Sequence, residues 1–129
     1  MYGELSKKLV EWIRNKVADA GAKGCVLGIS GGVDSAVVAA LCSKALPGNI
    51  LGLHMSCYSL PQDTTDARLI AETFEIHYME VNLERAYDSI LQTLKDVRAT
   101  QRMREFEANH LIHKEIENLA ASNIKPRLR

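Results

Sequence analysis

Apolar residues recur at helical spacing at Leu5, Leu9, Trp12 or Ile13, and Val17, with charged residues between them, and Gly21 stands where such a helix stops. The period then changes. Residues 25–29 form a short continuous apolar run that reads as a buried strand, and residues 35–46 read as a helix with Val37, Val38, Leu41, Cys42 and Ala45 directed inward, ended by Pro47 and Gly48. A second strand is predicted over residues 50–55, a loop over 56–62, a helix over 63–74, a third strand over 76–81 and a helix over 83–94. Strands alternating with helices predict a parallel sheet with covered faces. In such a sheet the 56–62 loop faces the same crevice as the turn after the first strand.

Beyond residue 95 the pattern becomes polar. Arg98, Arg102, Arg104, Glu105, Glu107, His110, His113 and Glu117 dominate, and Met103, Phe106, Leu111 and Ile112 give only partial helical periodicity. No sheet strand is expected there; the segment reads as exposed, mobile or dependent on a partner. His110 and His113 have the spacing of a metal pair on a helix, but no cysteine accompanies them, and a solvated or partner-facing surface is the reading taken. Ser122 can cap a helix that starts with Asn123 and carries Pro126 in its first turn.

Composition narrows the function classes. With 129 residues the chain has room for one domain with a real core, and its 16 basic and 16 acidic residues cancel. At 47% hydrophobic residues it is not of disordered type, and no basic surface points to nucleic acid. The apolar stretch 24–43 is interrupted by Asp34 and by glycines, so no membrane span is expected, and no signal-like apolar run opens the chain, so no leader is expected. Cys25, Cys42 and Cys57 are odd in number and lack a Cys-x-x-Cys spacing, which reads as free thiols in a cytoplasmic protein.

The candidate chemistry lies in Gly28-Ile29-Ser30-Gly31-Gly32-Val33-Asp34-Ser35, between the first strand and its helix. Strand, tight turn and helix in this order present backbone N–H groups and a helix N-terminus to an anion. Paired glycines allow a close backbone approach, and Ser30 and Ser35 offer hydroxyl donors. Asp34 has the wrong sign for a polyphosphate unless a cation lies between them, and Mg2+ is the ion held jointly by a carboxylate and phosphates. Asp34 is therefore the expected metal ligand. No lysine or arginine occurs from residue 28 to 43, which disfavours an ordinary P-loop ATPase, and no GxGxxG spacing is present. No nucleophilic triad can be assigned from the spacing, so no catalytic side chain is named.

The sequence Ser30-Gly31-Gly32-Val33-Asp34-Ser35 resembles the pyrophosphate loop of the N-type ATP pyrophosphatase superfamily. Together with residues 26–36, Asp63-Thr64-Thr65-Asp66-Ala67 and the terminal Asn123-Ile124-Lys125-Pro126-Arg127-Leu128-Arg129, it is most similar to the ammonia-dependent NAD synthetase family. Family members are roughly twice this long, and the chain resembles their N-terminal half. The resemblance implies an α/β fold, a three-layer, Rossmann-like parallel sheet of the adenine nucleotide alpha hydrolase-like kind, truncated. Residues 1–95 would form the nucleotide-binding core, with residues 96–129 a polar segment and the start of the next helix.

It also implies a ligase that activates the carboxylate of deamido-NAD with ATP, releases pyrophosphate, and lets ammonia displace AMP to form NAD. Gly28, Ile29, Ser30, Gly31, Gly32, Val33, Asp34, Ser35 and Met55 would then contact ATP, with Mg2+ on Asp34. Arg129, Arg127 and Asn123 would contact deamido-NAD, and the full-length enzyme would be a homodimer. His54 is read as a structural histidine, and Asp63 and Asp66 as carboxylates at the positive end of a helix. Two alternatives stay open: the ATP pyrophosphatase domain of GMP synthetase, and a noncatalytic nucleotide-binding fragment or scaffold.

Overall fold

In a computed structural model of the chain, the structure describes residues 1–110. Their order is α1 (Tyr2–Asp19), β1 (Cys25–Gly28), α2 (Val33–Ala45), β2 (Ile50–Ser56), α3 (Pro61–Thr73), β3 (His77–Asn82), α4 (Glu84–Arg98) and α5 (Gln101–His110). The chain divides into two compact units, Met1–Val81 and Asn82–Arg129. In the second unit the Asn82 side chain accepts the Glu84 N–H at 2.8 Å and opens α4, and α5 continues helix into the polar region that the sequence left unassigned.

The first unit is an α/β half-sandwich. β1 and β2 pair in parallel with Cys25 opposite Ile50 and Gly28 opposite Leu53, and β3 completes a three-stranded sheet in the order β1-β2-β3. Successive right-handed crossovers in one direction place their helices on one face of a sheet. The core follows that rule: Ala39 and Cys42 of α2 and Ala67 and Ala71 of α3 form a single cluster with Ile29, Ile50 and Ile76. Small helix residues at these contacts let α2 and α3 lie close to the strands.

Several expectations change here. Val37 and Val38 are 55% and 47% exposed, and the buried line of α2 is Ala39, Cys42 and Ala45. α2 is apolar nearly all round, so periodicity carries no information on which side meets the sheet. β1 is not buried on both faces: Val26 is 63% exposed, because both crossover helices of this unit cover the opposite face. Leu5, Leu9 and Trp12 of α1 are exposed as well, since α1 packs on α2 and not over the sheet. Arg14 fastens that contact by donating from Nε to the Ala45 carbonyl at 3.2 Å, at the C-terminus of α2 where carbonyls lack helical partners. α3 begins two residues earlier than the pattern predicted, with Pro61 in its first turn, where a missing N–H costs nothing.

All three cysteines are free, and Cys57, expected on a loop, is fully buried there. Burial, and then the neighbouring Cys25, push the Cys42 thiol up to about 11. It is inert packing material.

Gly21 ends α1 as expected, with φ of 68°. The Ala22 N–H reaches back to the Val17 carbonyl at 3.1 Å and the Gly21 N–H to Ala18 at 2.9 Å, the paired bonds of a Schellman stop. A side chain at Gly21 would meet nothing within 4 Å, so only the backbone conformation resists substitution. Gly21→Ala is expected to lower stability by about 1–2 kcal/mol, and Gly21→Asn by less because asparagine tolerates the left-handed region. Urea unfolding of the three proteins checks the order.

Across α3 and β3 the Arg68 guanidinium bonds the Glu80 carboxylate, which also accepts the Tyr78 hydroxyl at 3.2 Å. The Arg68 hydrogen bond holds the Glu80 carboxyl below the usual carboxylate range. Burial, followed by the Glu80 charge, pushes the Tyr78 phenol up to about 12. A carboxylate pKa lowered on folding adds stability that is present at neutral pH and lost as pH falls through the folded value. Glu80→Gln is therefore expected to melt below wild type at pH 7, with the gap closing as the buffer is acidified past about pH 4. Both side chains are largely solvated, at 52% and 40% exposure, so the gap is small.

Candidate functional site

β1 ends at Gly28 and α2 starts at Val33, and the turn between them is built by two hydroxyls. Ser35 donates to the Gly32 carbonyl at 3.1 Å and accepts the Ser30 N–H at 3.1 Å. The Ser30 hydroxyl lies 3.1 Å from the Ser35 oxygen and accepts the Gly32 N–H at 3.2 Å. Since the Ser35 proton is used on Gly32, Ser30 must donate to Ser35, and one assignment satisfies every bond. The two serines expected on a ligand thus also hold the turn together.

Gly31 makes the turn possible. Its φ is 91°, and a Cβ there would lie 2.6 Å from the Asp63 carbonyl oxygen at the start of α3. Glycine is thus required twice, for the backbone conformation and for the approach of α3. Gly32 is the N-cap of α2, with no side chain capping the helix, and the first intrahelical bond runs from the Ala36 N–H to the Gly32 carbonyl at 3.2 Å. The N–H groups of Val33, Asp34 and Ser35 consequently have no acceptor within the helix. They form a ready anion site at the positive end of α2.

Asp34 sits in this first turn, exposed, and ion-pairs with no cation among the described residues. Among those residues no three His, Cys, Asp or Glu side chains converge as a protein-only metal site. One free carboxylate beside an anion-binding turn fits a hard cation that keeps its water and takes its other ligands from phosphates, the usual manner of Mg2+.

The structure brings Met55 to the same end of the sheet. Ile29 is 1% exposed and donates its N–H to the Leu53 carbonyl at 2.9 Å, extending the β1–β2 ladder by one residue. Gly28 faces Met55, whose Cε is 3.8 Å from where a Cβ would stand. Residues 28–35 and Met55 thus gather at the C-terminal ends of β1 and β2, where open α/β sheets bind ligands. Asp63 lies in the first turn of α3, and Asp66 accepts a hydrogen bond from Gln62 at 2.7 Å. Asn123, Arg127 and Arg129 lie outside the described residues, as does His113 of the histidine pair.

His54 has more partners than a sequence can reveal. It is 2% exposed, with Nδ1 2.8 Å from the Ile29 carbonyl and Nε2 3.0 Å from the Thr64 hydroxyl. Thr64 was not singled out as a site residue. The one available sign was a polar residue on the inward phase of β2, which asks for a buried partner without naming it.

A profile of the NAD synthase family matches residues 5–129. The chain is 45% identical over 126 residues to the NH(3)-dependent NAD(+) synthetase of Carboxydothermus hydrogenoformans, a match covering 98% of this chain and 46% of that protein. It is 42% identical to the protein of the same name from Finegoldia magna, over 99% of this chain and 46% of the relative. Among solved structures, an NH3-dependent NAD synthetase from Campylobacter jejuni in complex with nitrate aligns with a TM-score of 0.69 at 30% identity, covering 72% of this chain and 41% of that one. An NMN synthetase from Francisella tularensis aligns with a TM-score of 0.70 at 33% identity, over 74% of this chain and 40% of its own. The chain spans about half the length of the curated relatives it matches. With a parallel α/β sheet, a glycine- and serine-built turn between its first strand and α2, and a family profile matching residues 5–129, the chain belongs to the NAD synthase family.

Proposed function

We propose that this chain carries the ATP phosphate site of an ammonia-dependent NAD synthetase, a ligase that amidates deamido-NAD. The observation that carries the reading is the 28–35 turn, with its unpaired N–H groups and free Asp34 carboxylate, in a chain of this family. In the full-length enzyme the nicotinate carboxylate attacks the α-phosphorus of ATP, pyrophosphate leaves, and ammonia displaces AMP from the acyl-adenylate. The N–H groups of Val33, Asp34 and Ser35 bind phosphate oxygens and offset charge growing on the leaving group. Asp34 would hold Mg2+, which supplies further neutralisation of that charge. Met55 borders the adenosine side of the site, and Arg129, with Arg127 and Asn123, would bind deamido-NAD. Holding carboxylate and phosphorus in line supplies the rest, without a covalent protein intermediate.

The full-length enzyme is proposed to be a homodimer, on the family resemblance, and cytoplasmic, on the three free thiols of this chain. A second reading is supported by the likeness to an NMN synthetase, for which the mononucleotide acid would replace deamido-NAD. GMP synthetase chemistry is less supported, because the family profile extends through the terminal segment.

The test is AMP release from ATP with Mg2+ and ammonia, comparing deamido-NAD, nicotinate mononucleotide and xanthosine monophosphate as acceptors. Deamido-NAD dependence is expected; release only with another acceptor would overturn the substrate. Magnesium-dependent ATP binding by this chain with no release from any acceptor would mark it as a binding fragment. Asp34→Ala should weaken magnesium-dependent ATP binding by about tenfold to a hundredfold by calorimetry, the worth of a charged contact. Gly31→Ala should weaken it too, while also costing on the order of 1–3 kcal/mol in urea unfolding through backbone strain.

A further inference from the structure

We propose that His54 and Thr64 are positioning residues for the phosphate turn, forming a buried strut that locks the peptide plane joining Ile29 to Ser30. The strut is a matter of folded geometry; its effect on ATP rests on the reading above.

The Ile29 carbonyl and the Ser30 N–H are opposite edges of one rigid peptide plane. His54 holds the first edge, 2.8 Å from the Ile29 oxygen, and Ser35 holds the second, accepting the Ser30 N–H at 3.1 Å. A carbonyl only accepts, so Nδ1 carries the ring proton. In the neutral ring Nε2 is then a lone pair, and the Thr64 hydroxyl donates to it across 3.0 Å. Thr64 fixes the ring's rotation, the ring fixes the plane, and the plane sets where Ser30 meets Ser35.

The position of the strut makes it more than a satisfied core histidine. The Ile29 N–H already belongs to the sheet through Leu53, so the plane beyond it is the first that the ladder does not hold. Thr64 adjoins Asp63, whose carbonyl abuts Gly31. The start of α3 therefore bears on the turn at two places, through His54 before Ser30 and directly by the Asp63 backbone after it. Without the imidazole the Ile29 carbonyl would lose its hydrogen-bond partner among the described residues, beside a 1% exposed side chain, and the plane could rotate to recover one.

The test uses Thr64→Val, which keeps volume and removes the hydroxyl, Thr64→Ser, which keeps the hydroxyl, and His54→Asn, whose amide can replace Nδ1 but not Nε2. Exchange of the Ser30 amide is followed by NMR without ligand, and binding of ATP with Mg2+ by calorimetry. Thr64→Val is expected to speed Ser30 exchange about tenfold relative to the β1 and β2 amides, the worth of one buried hydrogen bond, with Thr64→Ser restoring it and His54→Asn falling between. Binding should weaken about tenfold at unchanged stoichiometry. A purely structural role would instead lower melting temperature and stoichiometry, leave the dissociation constant unmoved, and speed Ser30 no more than the strand amides; that result overturns the strut. If wild type itself fails to bind ATP, the nucleotide reading falls and the exchange comparison still decides the strut.

Discussion

A parallel strand that ends at Gly28 must reverse into a helix that starts at Val33, and the short turn must do so without consuming the helix's own N–H groups. That constraint governs the molecule. Had a serine or aspartate side chain capped α2, the positive end of the helix would have been filled by the protein itself. Gly32 caps it instead, and the hydroxyls of Ser30 and Ser35 bond each other and the turn's backbone. The turn is held in shape from within while no side chain caps the N-terminus of α2.

The packing beneath serves the same end. α2 and α3 press alanines and Cys42 against the sheet, so the helices approach closely and the start of α3 reaches the turn at Gly31. A larger side chain at Ala67 or Ala71, both essentially unexposed, would push α3 away and with it Asp63 and Thr64. His54 occupies the polar gap that this geometry leaves in an otherwise apolar core.

Much of this was legible in the sequence, for identifiable reasons. The alternation of strands and helices, the Gly21 stop and the placement of residues 28–35 all depend on local rules of period and turn chemistry, and local rules survive folding. The inward face of α2 was legible only in part: Cys42 and Ala45 are buried as expected, but Val37 and Val38 are exposed, because a helix apolar on nearly every side has no preferred phase. The polar composition after residue 95 concealed α5 for the opposite reason, since a helix without an apolar stripe leaves little trace in hydropathy. The link from Thr64 through His54 to Ile29 joins residues 10 and 25 positions apart. No spacing rule connects them.

The uncovered face of β1 governs how the chain behaves as a solute. Val26 on that strand and Met79 on β3 are both more than half exposed, and among the described residues β1 forms an edge of the sheet. Apolar side chains beside an open ladder are where colloidal attraction begins. Sulfate and phosphate salts strengthen that attraction by exclusion from the surface, and urea at low concentration relieves it. The choice of salt therefore tunes how strongly these exposed apolar groups attract one another.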